Sequence, residues 1–124
     1  MTVTILLIDD NAIQAATRQA ILRRAGYEAI AVLHPQQALE QLQTGTAGSI
    51  DLVITDHIMP GMNGSEFVRQ LRQTHSKLPV LVISGLEDAE VEYEGLNVLF
   101  RLKPLQPERL LASVHELVQR GAAS

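Results

Sequence analysis

The stretch Thr4-Ile5-Leu6-Leu7-Ile8-Asp9-Asp10 places a short apolar run directly before two carboxylates. A second run, Leu52-Val53-Ile54-Thr55, is closed in the same way by Asp56. Apolar runs of this length, bounded by polar residues, are typical of strands that are buried on both faces of a parallel sheet. We therefore expect all three carboxylates to emerge at strand ends, along one rim of the sheet.

Five apolar strand candidates alternate with segments of helical spacing. We expect the strands near residues 3–8, 27–33, 51–55, 79–83 and 97–102. This alternation favours an α/β fold, a single doubly wound (βα)5 domain whose parallel sheet is covered by helices. Right-handed crossovers place the carboxyl ends of all strands at one edge, where open α/β sheets bind ligands.

The helical segments differ in how clearly their inward faces can be predicted. In the first segment, the spacing predicts that Ile13, Ala16, Ala20 and Ile21 face the sheet. The second segment begins at Pro35, the third follows Asn63-Gly64 and the last begins near Pro107, and each carries an ordinary apolar stripe. The fourth, around residues 86–96, is crowded with acidic side chains and has little room before the next strand. We expect it to be short or frayed.

Composition excludes several classes of protein. The chain has 124 residues, 46% of them hydrophobic, which is enough for the core of one domain. Its net charge is -4 and it has no dense stripe of lysine and arginine. Both features argue against direct binding to nucleic acid and against binding to an acidic membrane surface. The absence of cysteine excludes disulfides and thiolate metal sites. The apolar runs are too short to span a bilayer and no signal-like segment opens the chain, so a cytoplasmic location is expected.

Polar residues close four of the five strands: Asp9 and Asp10, Asp56, Ser84, and Lys103. Two carboxylates about 4 Å apart repel by roughly 4 kcal/mol at an effective dielectric near 20, so three of them together call for a cation. A hard ion such as Mg²⁺ prefers oxygen ligands of this kind. An ammonium and a hydroxyl beside the metal suit phosphoryl oxygens, and a carboxylate can serve as the covalent acceptor.

The stretch Thr55-Asp56-His57-Ile58-Met59-Pro60-Gly61-Met62-Asn63-Gly64, with Asp9-Asp10, Ser84-Gly85 and Lys103-Pro104, resembles the receiver domain of two-component response regulators. The likeness covers nearly the whole chain. It implies a flavodoxin-like sheet in the order 2-1-3-4-5 and one receiver domain over residues 1–124. It also implies that a phosphohistidine, on a histidine kinase or a histidine phosphotransfer domain, donates its phosphoryl group to Asp56.

The resemblance also implies a metal site. Asp10, Asp56 and the backbone carbonyl of Ile58 would hold Mg²⁺, and Asp9 would act largely through metal-bound water. Lys103 would bind the phosphoryl group, and the Lys103-Pro104 peptide bond would be cis.

A conformational switch is implied in the same way. Ser84 would turn toward the phosphoryl group while Phe100 turns inward, and the resulting change would control a downstream protein or an attached output domain. The protein would then be mainly a switch that assists its own phosphorylation and dephosphorylation. It would be an enzyme only in that loose sense.

Two features depart from the usual pattern of the family. The fourth helical segment is short, and Leu105 stands where an aromatic residue often follows Lys-Pro. Both affect the surface through which receivers usually dimerise, so a weak dimer stays an open alternative. Short versions of this segment resemble receivers attached to hybrid sensor kinases. The sequence leaves open whether the domain acts alone or within a longer chain.

Two rival functions remain. One is a Mg²⁺-dependent hydrolase with an aspartyl-phosphate intermediate, similar to the haloacid-dehalogenase superfamily, although adjacent acids at positions 9 and 10 do not match its spacing. The other is a pseudo-receiver that keeps the fold as an interaction module without phosphorylation. The four histidines lack ligand-like spacing, and we interpret them as surface or loop residues: His34, His57, His75 and His115. Of these, His57 follows the acceptor and could modulate hydrolysis of the phosphoaspartate.

Overall fold

The computed structural model describes residues 2–123, and the side chains of residues 2–121. Its strands are β1 (Thr4–Ile8), β2 (Glu28–Val32), β3 (Leu52–Asp56), β4 (Val80–Ser84) and β5 (Leu99–Leu102). Its helices are α1 (Ala12–Arg24), α2 (Pro35–Thr44), α3 (Gly64–Thr74) and α4 (Pro107–Ala123). A 3₁₀ segment, Glu87–Tyr93, connects β4 to β5.

The strands form one parallel sheet in the order β2-β1-β3-β4-β5, as predicted. Its register aligns the carboxyl ends of neighbouring strands. Ile8 lies beside Thr55, and Asp56 lies beside Ile83. The residues that follow β1 therefore reach the same edge as the last residue of β3.

Alternate residues of the central strands point to two separate apolar layers, because successive side chains of a strand face opposite sides. One layer packs Leu6, Val53 and Val82 against α2 and α3, where Phe67 is fully buried. The other packs Ile5, Ile54 and Leu81 against α1 and α4. The sheet is therefore covered on both faces, as the apolar runs predict. Among residues 2–123, no helix has the length and apolarity needed to cross a membrane.

Helix α1 turns a different face to the sheet from the one predicted. Ile13 is 82% exposed, and Ala16 and Ala20 are exposed as well. The buried residues are Ala15, Arg18 and Leu22, which follow the same helical spacing on another face. Ile21, the fourth predicted residue, is half-buried and packs against the layer of Ile5 and Ile54. The prediction is wrong for the other three because it ranked positions by apolarity, whereas Arg18 is buried through ion pairs rather than through apolar contacts.

The fourth helical segment is confirmed as short. It forms seven residues of 3₁₀ helix, in which Ala89 and Tyr93 are buried and the acidic residues are exposed. Of its two buried residues, Tyr93 attaches it to the layer that contains Phe67. Tyr93 thereby becomes a fixed neighbour of the loop that follows Asp56.

One arginine ties the end of α3 to the loops that precede β4 and β5. The Arg72 guanidinium donates to four backbone carbonyls, at 2.7 to 3.0 Å: those of His75, Leu78, Leu96 and Asn97. A planar group with five donors suits such a set of acceptors. Arg72 therefore organises the edge of the sheet opposite the carboxylates.

Candidate phosphoacceptor and metal site

The three predicted carboxylates lie together at the carboxyl edge of the sheet. One oxygen each of Asp9, Asp10 and Asp56 lies within 4.8 Å of the others. Asp9 is fully buried and Asp56 is 2% exposed, whereas Asp10 is exposed. The site is thus a buried carboxylate pair with a third carboxylate at its solvent side.

Two cations meet at a single oxygen of Asp56. The Lys103 ammonium nitrogen lies 3.2 Å from Asp56 Oδ1, and Arg18 Nη1 lies 3.1 Å from the same atom. Arg18 Nη1 also lies 3.2 Å from Asp9 Oδ2, so the guanidinium bridges the buried pair. Lys103 was predicted for this site, whereas Arg18 was missed. Arg18 lies three residues after Ala15 and four residues before Leu22, so it shares their face of α1. This spacing could have indicated that Arg18 is buried.

The pKa of Asp9 is raised from its ordinary value of 3.8 to about 7, mainly by burial. The neighbouring Asp56 carboxylate contributes to this increase, while the Asn11 amide, which donates to Asp9 Oδ1 at 2.9 Å, and the Arg18 guanidinium oppose it. The cost of burying the charge outweighs these two contacts. Asp9 therefore changes protonation near neutral pH when only protein groups surround it.

The oxygen donors of this cluster fit a hard divalent cation. All three side chains offer carboxylate oxygens, and the cluster contains neither sulfur nor imidazole. The Ile58 side chain is 63% exposed, and the metal role assigned to its carbonyl stays a prediction. The Asp9 and Asp56 carboxylates that would face such a cation are also those that Arg18 contacts.

The predicted switch residues contact groups of their own loop and of the 3₁₀ segment in this conformation. Ser84 is buried, and its hydroxyl donates to the Leu86 carbonyl at 3.2 Å and accepts from the Leu86 amide at 2.9 Å. Phe100 is half-buried with its ring centroid 5.8 Å from that of Tyr93. The hydroxyl of Ser84 is therefore held by its own loop. The Lys103-Pro104 bond is cis, as expected.

His57 lies in the loop after β3, as one alternative of its interpretation has it, but it is buried, so the surface alternative is wrong. It is 5% exposed, its Nδ1 lies 2.7 Å from the Tyr93 hydroxyl, and its Nε2 lies 3.5 Å from Glu92 Oε2. The two rings meet edge to face with centroids 5.6 Å apart. Burial raises the pKa of the Tyr93 phenol, so this hydroxyl keeps its proton. The 3₁₀ segment covers the imidazole. No sequence pattern around His57 indicates that this segment packs against it.

Gly64 allows Tyr93 to approach the loop that follows Asp56. A Cβ at this position would meet the Tyr93 hydroxyl at 2.3 Å and the Asp56 carbonyl oxygen at 2.7 Å. The Gly64 amide donates to the His57 carbonyl at 2.7 Å, and α3 then begins with a capping box between Asn63 and Glu66. His57 is therefore fixed by α3 and by the 3₁₀ segment together.

A groove of about 460 Å³ opens beside the site, between α1 and the loop that follows β5. Gln14, Arg18 and Lys103 lie on its wall. Lys103 also donates to Gln14 Oε1 at 3.4 Å, so α1 contacts Asp56 through Arg18 and Lys103 through Gln14. The cations of the site thus have solvent-accessible space next to them.

Comparison with known proteins identifies relatives of this arrangement. The family model of the response regulator receiver domain matches residues 5–115. The response regulator MprA of Mycobacterium sp. (strain KMS) is 32% identical over 123 residues, which cover 97% of this chain and 52% of that protein. A two-component response regulator of Arabidopsis thaliana is 34% identical over 111 residues, 89% of this chain and 18% of that protein. The chain thus spans from about a fifth to about half of these relatives.

Solved structures give the same result at the level of the fold. A receiver protein from Sinorhizobium medicae WSM419 superposes with a TM-score of 0.86, 30% identity and 97% coverage of both chains. A CheY-like receiver domain protein from Methanospirillum hungatei JF-1 reaches a TM-score of 0.91 at 19% identity, covering 99% of this chain and 98% of that one. The second likeness concerns the fold alone.

Proposed function

Because the chain belongs to the response regulator receiver domain family, we propose that Asp56 accepts a phosphoryl group from a phosphohistidine of a histidine kinase or a histidine phosphotransfer domain. The observation that carries the proposal is the position of the Asp56 carboxylate. It lies at the end of β3, 3.2 Å from the Lys103 ammonium and within 4.8 Å of two further carboxylates. A general role in two-component signalling follows from the family; the acceptor, the donor and the metal are proposed.

In the proposed reaction an oxygen of Asp56 attacks the phosphorus atom, and the bond from phosphorus to the donor imidazole breaks with its electron pair left on nitrogen. Lys103 stays within reach of the transferred group, where its ammonium offsets charge on the phosphoryl oxygens. Asp9, Asp10, Asp56 and the Ile58 carbonyl would hold Mg²⁺, which when bound would neutralise part of the charge on the phosphoryl group.

The proposed switch begins at Ser84. Its hydroxyl would leave Leu86 to donate to a phosphoryl oxygen, which breaks both hydrogen bonds that now hold the loop before the 3₁₀ segment. The Ala89 amide donates to the Leu86 carbonyl, so the first turn of that segment would respond. Tyr93 and Phe100 then relay the change to the surface beside β5, where a downstream protein or an attached output domain would bind.

One observation favours the pseudo-receiver as a second candidate. The Arg18 guanidinium already compensates Asp9 and Asp56 inside the site, as a fixed cation would in a domain that never binds metal. In that case the fold would serve as a constant interaction module. A cytoplasmic location, a single domain over residues 1–124 and a weak dimer stay predictions in either case.

The test is labelling with acetyl phosphate, read by intact mass. We expect one phosphoryl group per chain in Mg²⁺, none in EDTA, and none in Asp56→Asn. Asp51→Asn is the matched control, because this carboxylate accepts from the Thr4 amide at the opposite end of the sheet. Labelling that survives in Asp56→Asn would contradict the proposal. Absence of both labelling and Mg²⁺ binding in the unmodified chain would favour the pseudo-receiver, and turnover of a small phosphomonoester would favour the hydrolase.

A further inference from the structure

Arg18 occupies a position that neither the apolar pattern of α1 nor the phosphoryl chemistry explains. Its side chain is 10% exposed and its Nη1 lies between Asp9 Oδ2, at 3.2 Å, and Asp56 Oδ1, at 3.1 Å. A buried arginine is costly unless it is paired, so these contacts hold it in place. We propose that Arg18 is an internal competitor of the divalent cation: its guanidinium holds the buried carboxylate pair, and the cation binds only when the guanidinium withdraws.

The competition follows from shared ligands. The two carboxylates that Arg18 bridges are two of the three that offer oxygens to a cation. A guanidinium and a divalent ion a few ångström apart repel, and even in water this repulsion is enough to change a binding constant by about tenfold. Arg18 therefore weakens cation binding for as long as it stays between Asp9 and Asp56.

A place for the withdrawn side chain exists beside the site. Arg18 lines the groove of about 460 Å³ between α1 and the loop after β5, together with Gln14 and Lys103. A change of side-chain rotamer can carry the guanidinium into this groove without unfolding α1. Because Gln14 is one turn away and contacts Lys103 at 3.4 Å, the movement would alter the surface of α1 when the site fills.

The first test measures Mg²⁺ affinity by isothermal titration calorimetry. Arg18→Met keeps the length of the stem and removes the charge, so we expect its dissociation constant to fall at least about tenfold below that of the unmodified chain. Arg18→Lys keeps the charge and should stay close to the unmodified value. An Arg18→Met affinity that equals or falls below the unmodified one would overturn the inference.

The second test needs no substitution. In NMR spectra of the unmodified chain, the Arg18 Nε–Hε resonance should shift during a Mg²⁺ titration with the same midpoint as the Asp56 backbone amide. The Arg72 Nε–Hε group, which donates to the Leu96 carbonyl at 2.8 Å, is the matched control and should not move. A stationary Arg18 signal while the Asp56 amide titrates would refute the competition.

The inference rests on the proposed function only for the choice of cation, and the two can fail separately. Neither measurement includes a phosphoryl donor. If acetyl phosphate fails to label Asp56 while Mg²⁺ displaces Arg18, the phosphoacceptor proposal falls and the competition stands. If labelling succeeds while Arg18→Met leaves Mg²⁺ affinity unchanged, the reverse holds.

Discussion

The buried Asp9 carboxylate predicts that the metal-free protein loses stability as pH rises. The pKa of Asp9 is about 7 in the folded chain, against 3.8 as its ordinary value. Between these values the folded chain keeps a proton that the unfolded chain has released. Since the folded state binds more protons, the free energy of unfolding must fall through this window as pH increases. The stability that the proton on Asp9 gives to the folded state is fully present below about pH 4 and is lost above about pH 7.

Its size follows from the same two pKa values. One pKa unit corresponds to about 1.4 kcal/mol, and integrating the two titrations from pH 5 to pH 8 gives a loss of about 2.5 kcal/mol. Asp9→Asn keeps an acceptor oxygen for the Asn11 amide but carries no charge, so it imitates the protonated side chain. The free energy of unfolding of Asp9→Asn, minus that of the unmodified chain, should therefore rise by about 2.5 kcal/mol between pH 5 and pH 8.

The assay is urea unfolding in EDTA at pH 5, 6, 7 and 8, with Asp88→Asn as the control for the loss of one negative charge. Asp88 is exposed in the 3₁₀ segment, so its variant should follow the unmodified curve. A constant difference between Asp9→Asn and the unmodified chain at every pH would refute the reasoning. In that case the Arg18 ion pair would outweigh burial and keep Asp9 charged throughout.

Three further substitutions test the packing around the loop that follows Asp56 and at the opposite edge of the sheet. Gly64→Ala should lower the free energy of unfolding by about 1–3 kcal/mol, because its Cβ would clash with a backbone oxygen that cannot move aside. Gly85→Ala is the control and should be nearly neutral, because a Cβ at this position has no heavy atom within 4 Å. Tyr93→Phe should cost about 1–3 kcal/mol by leaving a buried imidazole nitrogen without its partner, against little change for half-buried Tyr27→Phe. Arg72→Met should cost about 3 kcal/mol, because four carbonyls lose a charged donor. Urea unfolding measures all three, and a neutral result at any of them would contradict the contact that it tests.

The fold was predictable because it depends on signals that are local in the sequence. Runs such as Leu52–Thr55 are apolar on both faces, and a polar residue marks where each run ends. The parallel arrangement then follows from the alternation of strands and helices, since parallel strands need a crossover. The same logic brought Asp9, Asp56 and Lys103 to one edge, where the structure has them.

The errors arose where burial depends on partners distant in the sequence. Arg18 is inward because two carboxylates from different strands neutralise it, so a search for apolar spacing selected Ile13 and its neighbours instead. His57 is buried because Tyr93 reaches it across 36 positions of the chain. Polar burial is a property of the assembled site, and a one-residue scale of hydrophobicity contains no information on it.

The charges at the site link Arg18, the proton on Asp9 and the phosphoryl group in one balance. Three carboxylates face two cations, so the site is negative by one charge, and a proton on Asp9 makes it neutral with Arg18 in place. A divalent cation added to that arrangement leaves an excess of positive charge, which favours withdrawal of Arg18 and release of the proton. Withdrawal of Arg18 and release of the proton together remove the two excess positive charges, and a phosphoryl group on Asp56 would then add about one negative charge, which favours the bound cation. If Asp56 is the phosphoacceptor as proposed, Arg18 would set a threshold for cation binding that phosphorylation would lower, and by linkage the bound cation would favour the phosphorylated state to the same extent.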